Sequence, residues 1–153
     1  MNGVISKIQG EVKKQGREDE EFLPFTEKGN VIEGESIATG KNGSSTLEFV
    51  EFANIEMRPN SEIGLSNLIP EQFLVIQRKG KVIYKSFVTE KPLSVRSLHL
   101  LVQVSGVSQI TTLTDGRISV EILSGQAKAA YVDLNNKTHL TLSYDLHGVC
   151  LLP

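Results

Sequence analysis

The residues of this chain that could carry catalytic or metal chemistry are few and scattered: three histidines, one cysteine and isolated carboxylates. No two of His99, His139 and His147 lie within four residues of each other, so no zinc-like histidine cluster can be read. Cys150 has no second cysteine to pair with. Flanked by Val149, Leu151 and Leu152, it reads as a small buried hydrophobe, with no activating base at a recognisable spacing. Asp133 and Asp145 are single carboxylates near turns and form no acid–base pair. The segment Gly40-Lys41-Asn42-Gly43-Ser44-Ser45 superficially suggests a phosphate loop. Its Lys41 is misplaced for that motif, however, and a strand follows where phosphate binding needs a helix N-terminus. On these grounds no catalytic site, metal or organic cofactor is expected. What is left is a basic run, Arg78, Lys79, Lys81 and Lys85, with Lys91 beyond it. Residues 66–153 hold nine Lys/Arg against six Asp/Glu, whereas residues 1–65 hold seven against twelve. Arg78, Lys79, Lys81 and Lys85 are therefore the candidate residues for docking an acidic partner, beside the plainer reading of a solvated strand face.

The elements that must position these residues are strands. With 39% hydrophobic residues and no Trp, the core must rest mainly on Val, Ile and Leu, the residues that suit a pleated surface. Alternation with period two dominates and helical periodicity is scarce. The inward positions predicted from it are Val4/Ile8, Leu47/Phe49, Ile55/Met57, Ile63/Leu65, Leu74/Ile76, Val82/Tyr84, Leu93/Val95, Leu100/Val102/Val104, Ile118/Val120/Ile122 and Leu140/Leu142. Asp115-Gly116, between Gln109–Thr114 and Arg117–Ile122, is the strongest hairpin signal, because a tight turn needs positive φ. Asn42-Gly43 marks a second turn, and Gln15–Glu21 a charged loop. An echo of Gly-x-(Val/Ala) recurs at Gly10-Glu11-Val12, Gly80-Lys81-Val82 and Gly125-Gln126-Ala127; glycine inside a strand pattern marks a bulge or a corner. The length suits one domain, residues 1–153.

The order of these pieces resembles the FecR domain, a β-rich extracytoplasmic module of bacterial envelope proteins. An opening strand ends in Gly10-x-Val12, and Gly34-x-Ser36-Ile-x-Thr39-Gly40 follows. After it come Leu47-x-Phe49, Ile55-x-Met57, Pro59-x-Ser61-x-Ile63-x-Leu65, Gly80-x-Val82, Lys91-Pro92, Gly106–Ile110 and Gly125-Gln126-Ala127. The resemblance runs over about residues 4–152. Two positions depart from the family pattern. Phe52-Ala53-Asn54 stands where the family has an Asp-Gly turn, which implies a tighter or bulged connection, and Val107 replaces the customary Thr. The resemblance implies an all-β fold, a twisted solenoid-like stack of short strands with hairpins, in a periplasmic or extracellular setting.

The function expected from this is a non-enzymatic protein-binding or regulatory module of the signal-transduction type, whose partner is an envelope protein or a second copy of itself. The alternative is a structural or glycan-contacting module of the cell wall. A glycan binder should display aromatics, and Tyr84, Tyr131, Tyr144 and six Phe are all there are, most in apolar patterns. A net charge of −2 argues against a nucleic-acid partner. No apolar run approaches the length of a membrane span and no signal peptide is read, so membrane insertion is not expected and the sequence alone also leaves a cytosolic location open.

Overall fold

Apolar and polar residues alternate most regularly from Ser44 to Met57, and there the chain forms two strands joined by a three-residue turn. The computed structural model describes residues 2–132, 138–142 and 148–152, with side chains as far as residue 130. Its strands are β1 (Gly3–Gln9), β2 (Val12–Gln15), β3 (Leu23–Pro24), β4 (Gly29–Val31), β5 (Ser36–Thr39), β6 (Ser44–Phe49) and β7 (Ala53–Met57). They continue as β8 (Glu62–Asn67), β9 (Leu74–Ser86), β10 (Leu93–Ser97), β11 (Leu100–Thr112), β12 (Ile118–Val132), β13 (Thr138–Leu142) and β14 (Gly148–Leu152). Among the described residues the one helical piece is a 3₁₀ turn, Pro70–Gln72. The sequence reading of an all-β single domain holds: the strands form one antiparallel sheet curled into a half-barrel. One pairing is parallel, between Leu74–Ile76 of β9 and Ser94–Arg96 of β10.

Register explains where the core sits. Ile5, Leu47, Ile55, Tyr84, Ser108 and Ile122 face one another in a continuous row across β1, β6, β7, β9, β11 and β12. All six are buried, because directly paired residues share a face of the sheet. An aromatic knot closes one end: the Phe73 ring lies 4.9 Å from both Phe49, edge-on, and Phe52. Phe52 belongs to the departure from the family pattern noted above, and the connection is tight, with Phe52 N–H donating to Phe49 O at 2.9 Å and Glu51 at φ 62°.

Two inward assignments are corrected. In β1 the buried residue is Ile5, not Val4, because Ser6 and Lys7 together oppose Thr46; this bulge shifts the phase, so that Ile8 leans on the core only in part. At the start of β9 the buried residues are Val75 and Gln77, in phase with Phe73 just before the strand, and Leu74 and Ile76 lie on the other face, half-buried. The remaining assignments with described side chains are buried as read. Leu140/Leu142 lie on β13, outside the described side chains.

The three glycines of the echo share one conformation. Gly10, Gly80 and Gly125 have φ of +64°, +90° and +77°, and the residue two positions on, Val12, Val82 or Ala127, is buried each time. In β9 and β12 the face that is buried changes over at this glycine, from Gln77 to Val82 and from Ile122 to Ala127. A positive φ turns the strand, which is the corner expected of them. Gly106 (φ +110°) faces Gly125 across the ladder, so the two long strands β11 and β12 bend at the same level. The Asp115-Gly116 hairpin is present, with a wider turn than two residues. Leu113 N–H reaches Arg117 O at 2.8 Å, and the Arg117 N–H (3.0 Å) and Nε (2.7 Å) both donate to Asp115, holding its carboxyl below the ordinary range. The Asn42-Gly43 turn joins β5 to β6, and strand does follow it.

Candidate protein-docking face

Arg78, Lys79, Lys81 and Lys85 all lie on β9, two on each side of the Gly80 bend, but the structure divides them into two kinds. Arg78 is engaged: its Nη1 donates to Ser36 Oγ at 3.0 Å and lies 3.5 Å from Glu62 Oε2, with the guanidinium against Gly64. Lys85 is engaged as well, its Nζ 2.9 Å from Glu56 Oε1. Lys79 and Lys81 are exposed, and neither makes an ion pair among the described residues. Glu56 and Glu62, on the strands β7 and β8 that pair with β9, are already occupied by Lys85 and Arg78, which leaves Lys79 and Lys81 without a counter-charge from them.

A third cation joins them that the sequence reading missed. Met57 pairs with Val82, and the next residue, Arg58, donates its N–H to Lys81 O at 3.0 Å. Arg58 is exposed and likewise makes no ion pair among the described residues. No linear signal could have joined residue 58 to residue 81; only the β7–β9 register does so. The support beneath is rigid. Thr39 Oγ1 donates to Arg58 O at 2.7 Å and accepts from Ser61 N–H at 2.9 Å, while Ser61 Oγ donates to Lys81 O at 3.0 Å. These bonds pin the Arg58–Ser61 turn, where Asn60 has φ 59°, against β9. Beside it opens a groove of about 770 Å³ with Lys79, Lys81, Pro59, Asn60, Leu98 and Leu113 along its sides. Leu98 is 53% exposed, at φ 52° in the β10–β11 turn, and puts an apolar contact next to the cations.

The other sequence candidates fall elsewhere. In Gly40–Ser45 the first four residues are the turn between β5 and β6, with Gly43 N–H closed onto Gly40 O at 3.0 Å, and Ser44 and Ser45 open strand β6 where a phosphate loop needs a helix. His99 is exposed in the β10–β11 turn. His139 and Cys150 lie on β13 and β14, outside the described side chains, and Asp133, Asp145, Tyr144 and His147 lie outside the described residues altogether. His147 and Cys150 stand three residues apart in sequence, two donors where a structural zinc site takes four. Among the described residues no group of three or more His, Cys, Asp or Glu could hold a metal ion. No helix there is long and apolar enough to cross a membrane. Of the few aromatics that a glycan binder would have to display, Tyr84, Phe49, Phe52 and Phe73 are buried, and Phe87 is 57% exposed.

No family model matches the chain, and no curated protein matches it. Among solved structures it is similar to a "putative anti-sigma factor" from Parabacteroides distasonis ATCC 8503, with a TM-score of 0.52 and 12% identity. The likeness covers 72% of this chain and 60% of that one, so the chain spans less than two thirds of its neighbour's length. At this identity the likeness is one of fold: the curled all-β sheet is an architecture that this neighbour also has.

Proposed function

We propose that the chain is a non-enzymatic, FecR-like regulatory module of the bacterial envelope that binds an acidic segment of a partner protein at the Gly80 bend. The observation that carries this reading is the set of exposed cations Arg58, Lys79 and Lys81, without ion-pair partners among the described residues and seated on a hydrogen-bonded turn. A rigid cationic edge with an apolar neighbour, Leu98, suits a protein segment that combines carboxylates with a hydrophobic anchor. Support of a broader kind comes from the ordered motifs of the sequence and from the fold shared with a protein named as an anti-sigma factor. A periplasmic or extracellular site of action belongs to the same reading.

Charge at such a face acts mainly on association rate, and salt screens it. The test is to identify a partner by cross-linking in envelope extract and then to follow its binding to the purified chain and to K79E/K81E. The double variant is expected to fold normally and to associate about tenfold more slowly at low salt, with the gap narrowing at high salt. An unchanged association rate would remove the face from the mechanism.

A further inference from the structure

A second groove runs across β1, β6 and β7 and meets the face at the Gly80 bend at Arg58. Its volume is about 520 Å³, within the ~300–1,000 Å³ range of enclosed binding sites. Lys7 on β1, Lys28 in the segment between β3 and β4, and Arg58 line it, with the hydroxyls of Thr26, Ser44 and Thr46 between them. All three cations are exposed and none makes an ion pair among the described residues. The one carboxylate in the lining, Glu56, is held by Lys85 at 2.9 Å. The groove is thus shaped and charged for a chain segment rich in carboxylates. No aromatic lines it, which gives a sugar ring nothing to stack on.

The same molecule displays such a segment. Between β2 and β3 the chain runs Arg17-Glu18-Asp19-Glu20-Glu21, with all four carboxylates exposed and unpaired among the described residues. Leu23, just beyond, is 58% exposed. Within one molecule none of these four carboxylates lines the groove, and none forms an ion pair with Lys7 or Lys28. We propose that the Glu18–Glu21 loop of one copy docks in the Lys7–Lys28 groove of a second copy. Groove and loop are different surfaces, so the contact is heterologous: each copy in a row still offers one unused loop and one unused groove, and assembly proceeds head to tail instead of stopping at a two-fold dimer.

The experiment uses sedimentation velocity on the whole chain at rising concentration, in low and in high salt. The wild type is expected to form species beyond the dimer at low salt and to dissociate at high salt. K7Q/K28Q removes the groove's charge and E18Q/D19N/E20Q/E21Q the loop's, all at exposed positions, and circular dichroism checks that both variants stay folded. Each variant alone should associate at least tenfold more weakly. Mixed, they retain one intact groove and one intact loop, so a one-to-one heterodimer that grows no further is expected. A wild type that stays monomeric at every concentration overturns the proposal, as does self-association that neither variant weakens, or a mixture that forms no heterodimer. Arg58, Lys79 and Lys81 are intact throughout, so these results stand apart from partner binding at the Gly80 bend.

Discussion

Tyr84 Oη donates a 2.9 Å hydrogen bond to Gln77 Oε1 from the far side of the Gly80 bend, and both side chains are enclosed. The other end of the Gln77 amide donates to Gly80 O at 2.9 Å and to Ile110 O at 2.8 Å. One buried amide therefore serves the bend, the neighbouring strand β11 and the phenol. Q77L strips three bonds from buried partners and is expected to cost about 2–4 kcal/mol, against about 1–2 for Y84F, which strips one. The double variant should cost less than the sum of the two, because the phenol–amide bond is then lost only once. Urea denaturation of the four proteins measures all of this; equal costs for Q77L and Y84F would show that the carbonyl contacts contribute nothing.

The same phenol makes an alkaline prediction. Burial pushes the Tyr84 hydroxyl well above the usual tyrosine range. The folded chain then holds this proton more tightly than the unfolded chain does. Its contribution is fully present below about pH 10 and is lost as the pH rises from there towards the raised folded-state value. Urea midpoints between neutral pH and pH 11 should fall more steeply above pH 10 for wild type than for Y84F. Parallel curves would mean that Tyr84 ionises in the folded protein.

Glycine substitutions should separate into two groups. A Cβ on Gly80 would stand 2.5 Å from Ser61 Cα, and one on Gly106 2.4 Å from Ser124 O, both at positive φ. Backbone blocks both, so G80A and G106A are each expected to cost on the order of 1–3 kcal/mol. At Gly40 no positive φ is required, and the nearest obstacle is the Glu11 side chain, whose carboxylate can swing away. G40A should cost less than about 1 kcal/mol. Thermal melts of the three variants rank them directly.

Lys85 is expected to behave unlike Lys79 and Lys81. Its ion pair with Glu56 joins side chains about one-third exposed, so K85A should cost no more than about 1 kcal/mol of stability. Because its charge is already balanced, K85A should also change the salt dependence of partner binding less than K79A or K81A does. Association rates of the three single variants at two salt concentrations test the division.

How far the sequence could be read depended on how strictly it alternates. Leu47, Ile55, Val95 and Val104 each have polar or small residues beside them, and their inward direction was legible. Phe73-Leu74-Val75-Ile76 is an unbroken apolar run in which either phase fits period two, and the choice falls to the Gln77 amide, whose partners are 3 and 33 residues away. Val4 and Ile5 were ambiguous for a related reason, since the bulge at Ser6 and Lys7 leaves no mark in residue types. The glycine echo, in contrast, was a backbone signal and located three corners. For the docking face, the basic run itself was legible. The neutralisation of Arg78 and Lys85 by carboxylates 16 and 29 residues distant, and the arrival of Arg58 beside Lys81, depend on register and were not.

Strand β9 pairs with β7, β8, β10 and β11, and no other described pairing joins the strands before it to those after it. The molecule therefore has a seam rather than a hinge. If the chain were cut in the loop after Ser86, the first fragment would keep β9 and display along it the bare edge meant for β10 and β11. The second fragment would have no template to build on. Each piece would be insoluble or unfolded alone and would recover only by finding the other, so proteolysis near residues 87–92 would act as an all-or-nothing inactivation and not as the release of a working half.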